Sequence, residues 1–450
     1  MTTQKSSVML MLAVVAAVTL NTIAEAQHVS RGRPYAKITA QRGTIRGRVP
    51  GKIVIPPRQA PDINELPKRT EAEKLAAAKL REIRAPATST SSQVLIDRNV
   101  TLSPNDVITK RLIFEGSKST GVTLNLNGAT LDGGKKGSVN YDKDMIEVRS
   151  EKVFRTRNGI RSHAWKRPEN ILVQGKGTII GSIRVWGMGK NGEAADVKES
   201  SRRDATNSQH TQRARTNAPR NIVFDRITII GVGRNPVYFA PGVTYSKLIN
   251  SEVKGKSSRV GIYLDAESAY NTFENNYIHV ETKEDNWGKI PGVTGRGWPQ
   301  MAIDGSSRNT IHNNRFSSLS NGGIYLYRNC GEGGTIRLTP PENNTITNNT
   351  FYYKKYKGSK PAIYLGSRDY GRKESTFGHC NDDSGRPYGS SSSNKDYARH
   401  NIIKNNKLHK RMIVPLGGFG LVDARVEDMI VTKNKSANSP NETSGNTLYE

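Results

Sequence analysis

An all-β solenoid, with short parallel strands stacked coil upon coil, is the fold class this 450-residue sequence predicts, and three observations carry it. An eight-residue unit recurs as NTFENNYI at Asn271, NTIHNNRF at Asn309, NTITNNTF at Asn344 and NIIKNNKL at Asn401, with weaker copies SKLINSEV at Ser246 and NIVFDRIT at Asn221. A second unit follows most copies: PVYFAPG (Pro236), GIYLDAES (Gly261), QMAIDGSS (Gln300), GIYLYRN (Gly323) and AIYLGSR (Ala362). Neither unit has a 3.6-residue apolar period, which excludes helical repeats. The closest copies lie 25 residues apart, from Asn221 to Ser246 to Asn271, a length that suits two or three short strands per coil with Asn at the corners.

The elements follow in chain order. Val8 to Leu20 is apolar but too short to span a bilayer; it follows Lys5 and ends in Ala24-Glu25-Ala26, so residues 1–26 are expected to be a cleaved export signal. The expected location is therefore periplasmic or extracellular. Residues 27–90 form a basic arm rich in Pro, Arg and Lys, expected to be extended. Within it, Thr70-Glu71-Ala72-Glu73 has the form of a capping box and predicts a short amphipathic helix over about 70–84 that covers the open end of the solenoid. The solenoid itself is expected over 91–437, followed by a polar tail, 438–450.

The formal net charge is +28, and loss of Lys5 and Glu25 with the leader leaves it unchanged. An exported protein of such charge suits acidic polymers, above all acidic polysaccharides. The chain carries no module for specific nucleic-acid recognition and no membrane span, and it is expected to act as a monomer. Asn275, Asn313, Asn348 and Asn405 are expected at the corners as buried amides that bond along the stack and tolerate left-handed backbone.

From about residue 95 to 435 the chain resembles the right-handed parallel β-helix proteins of the pectate-lyase-like superfamily, and the copies at Asn271, Asn309 and Asn344 carry most of that resemblance. The resemblance implies a secreted or periplasmic protein that binds a polysaccharide in a groove along one sheet, many relatives cleaving uronate polymers by β-elimination. Fold alone does not choose among lyase, hydrolase, epimerase and binder.

Strand alternation says which side chains reach a ligand. Ile262 and Leu264 must point inward, so Tyr263 and Asp265 point out. In that phase the outward positions read Tyr238, Tyr263, Ala302, Tyr325, Tyr364 and then Ala240, Asp265, Asp304, Tyr327, Gly366. Tyr263, Tyr325 and Tyr364 are the expected sugar-stacking residues, helped by Asn329, Lys289 and Arg296. Insertions at 283–299, 331–342 and 368–396 adjoin this face and are expected to wall a groove. The loop from Lys198 to Arg220 is expected to be mobile and polymer-binding.

Elimination at a uronate requires a group that neutralises the carboxylate, a base for the α-proton and an acid for the departing oxygen. Arg328 and Arg368 suit the first role; Ca²⁺ held by Asp265, Glu267 and Asp304 would serve equally and is the one cofactor the sequence suggests. Relatives use Lys or Arg as base, and no position here matches that motif. The candidates are Tyr327, His379, Lys289 and Arg296, with Tyr327 also suited to be the acid. Arg328 pairing with Glu332 or Asp304 is the competing structural role. Cys330 and Cys380, the only cysteines, can pair in an oxidising compartment and clamp the last insertion beside Tyr327.

The most favoured function is therefore a lyase on an acidic polysaccharide. Hydrolysis would need two carboxyl groups about 5 to 9.5 Å apart, for which Asp265 and Asp304 are the pair. The polygalacturonase signatures and the epimerase aspartate-proline-histidine-aspartate are absent. The alternative of another class is a non-catalytic surface or matrix protein that binds acidic polysaccharide.

Overall fold

The computed structural model describes residues 70–188, 195–203, 209–282, 284–285, 296–317, 319, 321–329, 335–353, 360–366, 398–409, 412–413, 422–423, 425–432 and 440–449. The expected leader and most of the basic arm lie outside them. Three parallel sheets of ten strands each make up the solenoid, each coil contributing one strand per sheet. Three long sheets joined by crossovers between parallel strands fit a right-handed coil.

The first sheet runs through Gln93–Leu95, Arg111–Glu115, Asp144–Arg149, Ser182–Val185, Val237–Phe239, Ile262–Leu264, Met301–Asp304, Ile324–Tyr327, Ile363–Leu365 and Ile430–Thr432. Its inward positions stack in register as Ile183, Val237, Ile262, Met301, Ile324 and Ile363, all buried. The third sheet contributes Phe316 and Phe351, whose rings stack at 5.0 Å and 5°. Burying such side chains contributes about 1.5–3 kcal/mol each, and that gain drives coiling.

The paired asparagines divide their labour, which refines the sequence expectation. The first of each pair, Asn275, Asn313, Asn348 and Asn405, is exposed and left-handed, with φ of 57°, 51°, 58° and 56°. The second, Asn276, Asn314, Asn349 and Asn406, is the buried amide. The Asn314 Nδ2 donates to the Phe273 carbonyl at 2.8 Å and to Asn349 Oδ1 at 3.0 Å, while its own Oδ1 accepts from the Asn276 backbone N–H at 3.0 Å. A second buried ladder joins Asn271, Asn309, Asn344 and Asn401 in the same way.

The predicted terminal helix is present as α1, Glu71–Arg84, with the capping box closed between Thr70 and Glu73. Its buried Ile83 joins the core, and Lys110 and Lys79 tie it to the first coils through Glu82 and Leu95 carbonyls. Two sequence expectations change. The segment placed in a polar tail contains Glu442–Ser444 and Thr447–Tyr449, the tenth strands of the second and third sheets, because Asn441 and Asn446 extend both amide ladders. The segment expected as a mobile loop contains two helices, α2 (Ala195–Arg203) and α3 (Gln209–Asn217), which bury Val197, Ser201, His210 and Ala214.

Three large insertions leave the solenoid at one corner, between a first-sheet strand and the next second-sheet strand. The antiparallel hairpin Glu151–Arg157 with Ile160–Lys166, the helix pair and the 335–342 segment all occur there. The corner is short in the three intervening coils, so α3 and the 335–342 segment meet above them, at Glu267.

Candidate functional site

The outward column of the first sheet is in register as expected through Tyr238, Tyr263, Ala302, Tyr325 and Tyr364, and the structure extends it back to Arg184 and Glu147. Its chemistry changes along the stack. Early coils are ionic, with Arg149 on Glu147 at 3.0 Å and Arg184 on Asp144 at 3.3 Å. Later coils are aromatic: Trp186 meets Tyr238 edge-on at 5.5 Å, Tyr238 meets Tyr263 at 5.6 Å, and beyond Ala302 the rings of Tyr325 and Tyr364 lie 5.4 Å apart. Tyr263, Tyr325, Tyr327 and Tyr364 are half-buried. Gly366 has no room for a Cβ because the Tyr364 ring rests on it.

Beneath the tyrosine hydroxyls lies a buried charge cluster. Tyr238 donates to Asp265 Oδ2 at 2.6 Å and Tyr263 donates to Asp304 Oδ2 at 2.5 Å. Arg337 sits against both carboxylates, 3.3 Å from Asp265 and 3.5 Å from Asp304. The Asn329 backbone N–H donates to Asp304 Oδ1 at 2.6 Å, and that of Ala266 donates to Asp265 Oδ1 at 2.8 Å. Tyr327 is the register partner of Asp304.

Two carboxylates and one guanidinium leave the cluster with excess negative charge. Burial, with Asp265 adding to it, raises the Asp304 carboxyl to about 6 against the pull of Arg337, Tyr263 and the Asn329 N–H. Burial and the charges of Asp265 and Asp304 push the Tyr263 hydroxyl well above its ordinary value, so it stays protonated. Burial alone would lower Arg337, but Asp304 and Asp265 outweigh it and hold the guanidinium charged.

Several expected site residues have other work. Asp265, Glu267, Asp304 and Arg328 are all buried, not presented outward, because the 335–342 segment covers them. Arg328 is 1% exposed and donates Nη1 to the Leu338 carbonyl at 3.1 Å, so it braces that segment. Asn329, at 3% exposed, bonds Asp304 through its backbone. The three carboxylates do not fit a Ca²⁺ site: the Arg337 guanidinium already stands against Asp265 and Asp304, while Glu267 accepts from Thr211, Leu338 and Thr339. Among the described residues no group of three His, Cys, Asp or Glu side chains gathers to hold a metal. Arg296 opens a two-residue strand, Arg296–Gly297, paired antiparallel with Glu284–Asp285. Lys289, Arg368, His379, Cys330 and Cys380 lie outside the described residues.

Arg337 is the residue sequence reasoning missed. It lies in the Gly-rich insertion, flanked by apolar Ile336 and Leu338, and the signal was that two adjacent buried carboxylates require a cation.

No family model matches the chain, and no curated protein matches it in sequence. Solved structures do match. The surface protein and adhesin PfbA of Streptococcus pneumoniae is 12% identical over 84% of this chain and 81% of its own, with a TM-score of 0.38. An alginate lyase from Paenibacillus sp. str. FPU-7 is 11% identical over 81% and 94%, with a TM-score of 0.30. The periplasmic alginate epimerase AlgG is 12% identical over 79% and 78%, with a TM-score of 0.28. Among the described residues no helix is long and apolar enough to cross a membrane. Ten coils, three parallel sheets and two amide ladders make this chain a parallel β-helix protein.

Proposed function

We propose that the protein is an exported enzyme that cleaves an acidic, uronate-containing polysaccharide by β-elimination on the outward face of the first sheet. The observation that carries this reading is the inward-reaching hydroxyl of half-buried Tyr263, donating at 2.5 Å to an Asp304 carboxylate whose pKa is tuned to about 6. A base tuned close to the working pH is what proton abstraction requires. Tyr263 oxygen takes the proton at C5 of the uronate as its own proton passes to Asp304. The electron pair left at C5 forms the C4–C5 double bond, the C4–O bond breaks, and Tyr327 protonates the departing oxygen. Tyr325 and Tyr364 stack the sugar rings. Arg368, four residues beyond Tyr364 in sequence, is the proposed carboxylate partner, with His379, Lys289 and Arg296 as further contacts and Cys330–Cys380 as the clamp. The net charge of +28 supports an acidic substrate.

A second reading is favoured by the burial of Asp265, Asp304 and Arg337: the cluster pins the 335–342 segment, and the protein only binds the polymer. Incubation with a panel of acidic polysaccharides, following ultraviolet absorbance of the new double bond, separates the two. Loss of about 10²-fold in rate for Tyr263→Phe supports elimination. Binding of the polymer without any absorbance rise supports the second reading.

A further inference from the structure

The short corner beside this face carries a different constellation. The positions two residues before the second-sheet strands that start at Lys247, Thr272, Thr310 and Thr345 align along the stack with Asn221 and are left-handed: Asn221, Tyr245, Tyr270, Arg308 and Asn343, with φ of 54°, 55°, 59°, 56° and 56°. Asn adopts this backbone readily because its short amide bonds locally, whereas a bulky side chain pays a steric penalty. Two successive coils nevertheless place tyrosine there, 43% and 38% exposed. An unfavourable backbone kept at an exposed position points to a function for the side chain.

The rings of Tyr245 and Tyr270 lie parallel, 2° apart at 4.9 Å. Arg220 caps the stack with its guanidinium 4.6 Å from the Tyr245 ring, and Arg308 lies 5.9 Å from the Tyr270 ring. Both arginines are exposed, and among the described residues neither pairs with a carboxylate. A guanidinium laid on a ring keeps its in-plane N–H donors for an anion. Beside the stack opens a cleft of about 470 Å³ against α3, lined by Arg167, Arg215 and Arg220 with Thr211, Tyr245 and Tyr270. Glu169 answers Arg167 at 2.6 Å, and Arg215 donates to the Glu267 carbonyl at 2.7 Å, so Arg220 and Arg308 hold the donors open to a ligand.

We propose that this corner is a second, non-catalytic site that grips successive carboxylate or sulfate groups of an acidic polysaccharide, one at Arg220 and the next at Arg308 across the Tyr245–Tyr270 stack. The ligand class rests on the proposed function; the residues do not. A single-stranded nucleic acid is disfavoured because its bases need free aromatic faces, and here the outer faces are covered by guanidinium groups.

The test measures equilibrium binding of labelled oligogalacturonate, dextran sulfate and oligo(dT) to the full chain. The variants are R220Q/R308Q, Y245N/Y270N and Y263F. Each corner double variant should lose about 10-fold or more in affinity for an acidic sugar. Tm should hold in the first and hold or rise in the second, since Asn relieves the left-handed strain. If Y263F still cleaves, the catalytic reading fails while the corner stands. Unchanged affinity in both doubles, equal retention of oligo(dT), or a parent chain that holds neither acidic sugar would overturn the corner site.

Discussion

The Leu338 backbone N–H donates to the Glu267 carboxylate at 2.6 Å, and Thr211 on α3 reaches the other oxygen of the same group at 2.5 Å. One buried side chain thus joins two insertions that leave the solenoid four coils apart. Burial would raise this carboxyl, but the nearby His210 ring, the Thr211 and Thr339 hydroxyls and Arg215 outweigh it and hold it below its ordinary value. A depressed carboxylate contributes its full stability above the unfolded value of 4.5 and loses it as pH falls through the lower folded value. Glu267→Gln should cost about 1.5–3 kcal/mol at neutral pH and flatten the acid limb of stability, read as urea midpoints across that range. An acid limb identical to the parent's would show that Glu267 does not bear this load.

The amide ladders predict a contrast between neighbours. Asn314→Ala leaves buried partners unanswered and should cost about 3 kcal/mol or more, since each orphaned group costs about 1–3. Asn313→Ala meets the left-handed penalty and loses only one exposed bond, from Asn313 Nδ2 to Asn275 Oδ1 at 2.7 Å, and should cost about 1–2 kcal/mol. Chemical denaturation of the two variants side by side decides it; equal losses would remove the division of labour.

Arg337→Met should destabilise by about 3–5 kcal/mol, because Asp265 and Asp304 are then buried without a cation. Adding Asp265→Asn and Asp304→Asn to it should recover much of the loss. Failure to recover would mean that the guanidinium acts through packing instead.

Activity on the polysaccharide should rise with pH through about 6 as Asp304 ionises, and Asp304→Asn should abolish that limb along with most of the rate. The stability linkage has the opposite sign. Because the folded carboxyl is raised, Asp304 favours the folded state less as pH climbs from 3.8 to about 6. A rate profile flat across pH 6 would leave Asp304 with a structural role only.

The fold was legible because one coil cannot bury its own apolar face, so the sequence must repeat itself in register; Ile262, Met301, Ile324 and Ile363 show this directly. The tyrosine column was legible for the same reason. The fate of Asp265, Asp304 and Arg328 was not, because strand phase says that a side chain leaves the core without saying what covers it outside. Arg337 reaches the cluster from 72 residues beyond Asp265, across an insertion that no repeat aligns. Tyr245 and Tyr270 escaped notice because they occupy a slot that asparagine fills in other coils, at Asn221 and Asn343.

Successive members of one amide ladder, from Asn271 to Asn441, are separated by 38, 35, 57 and 40 residues, yet each makes the same bond to the next. The molecule therefore works as a ruler whose graduations are fixed by backbone pairing, however much chain is spooled out between them. Side chains presented along a face therefore recur on whole rungs, and lengthening a wall leaves every one of those marks where it stands.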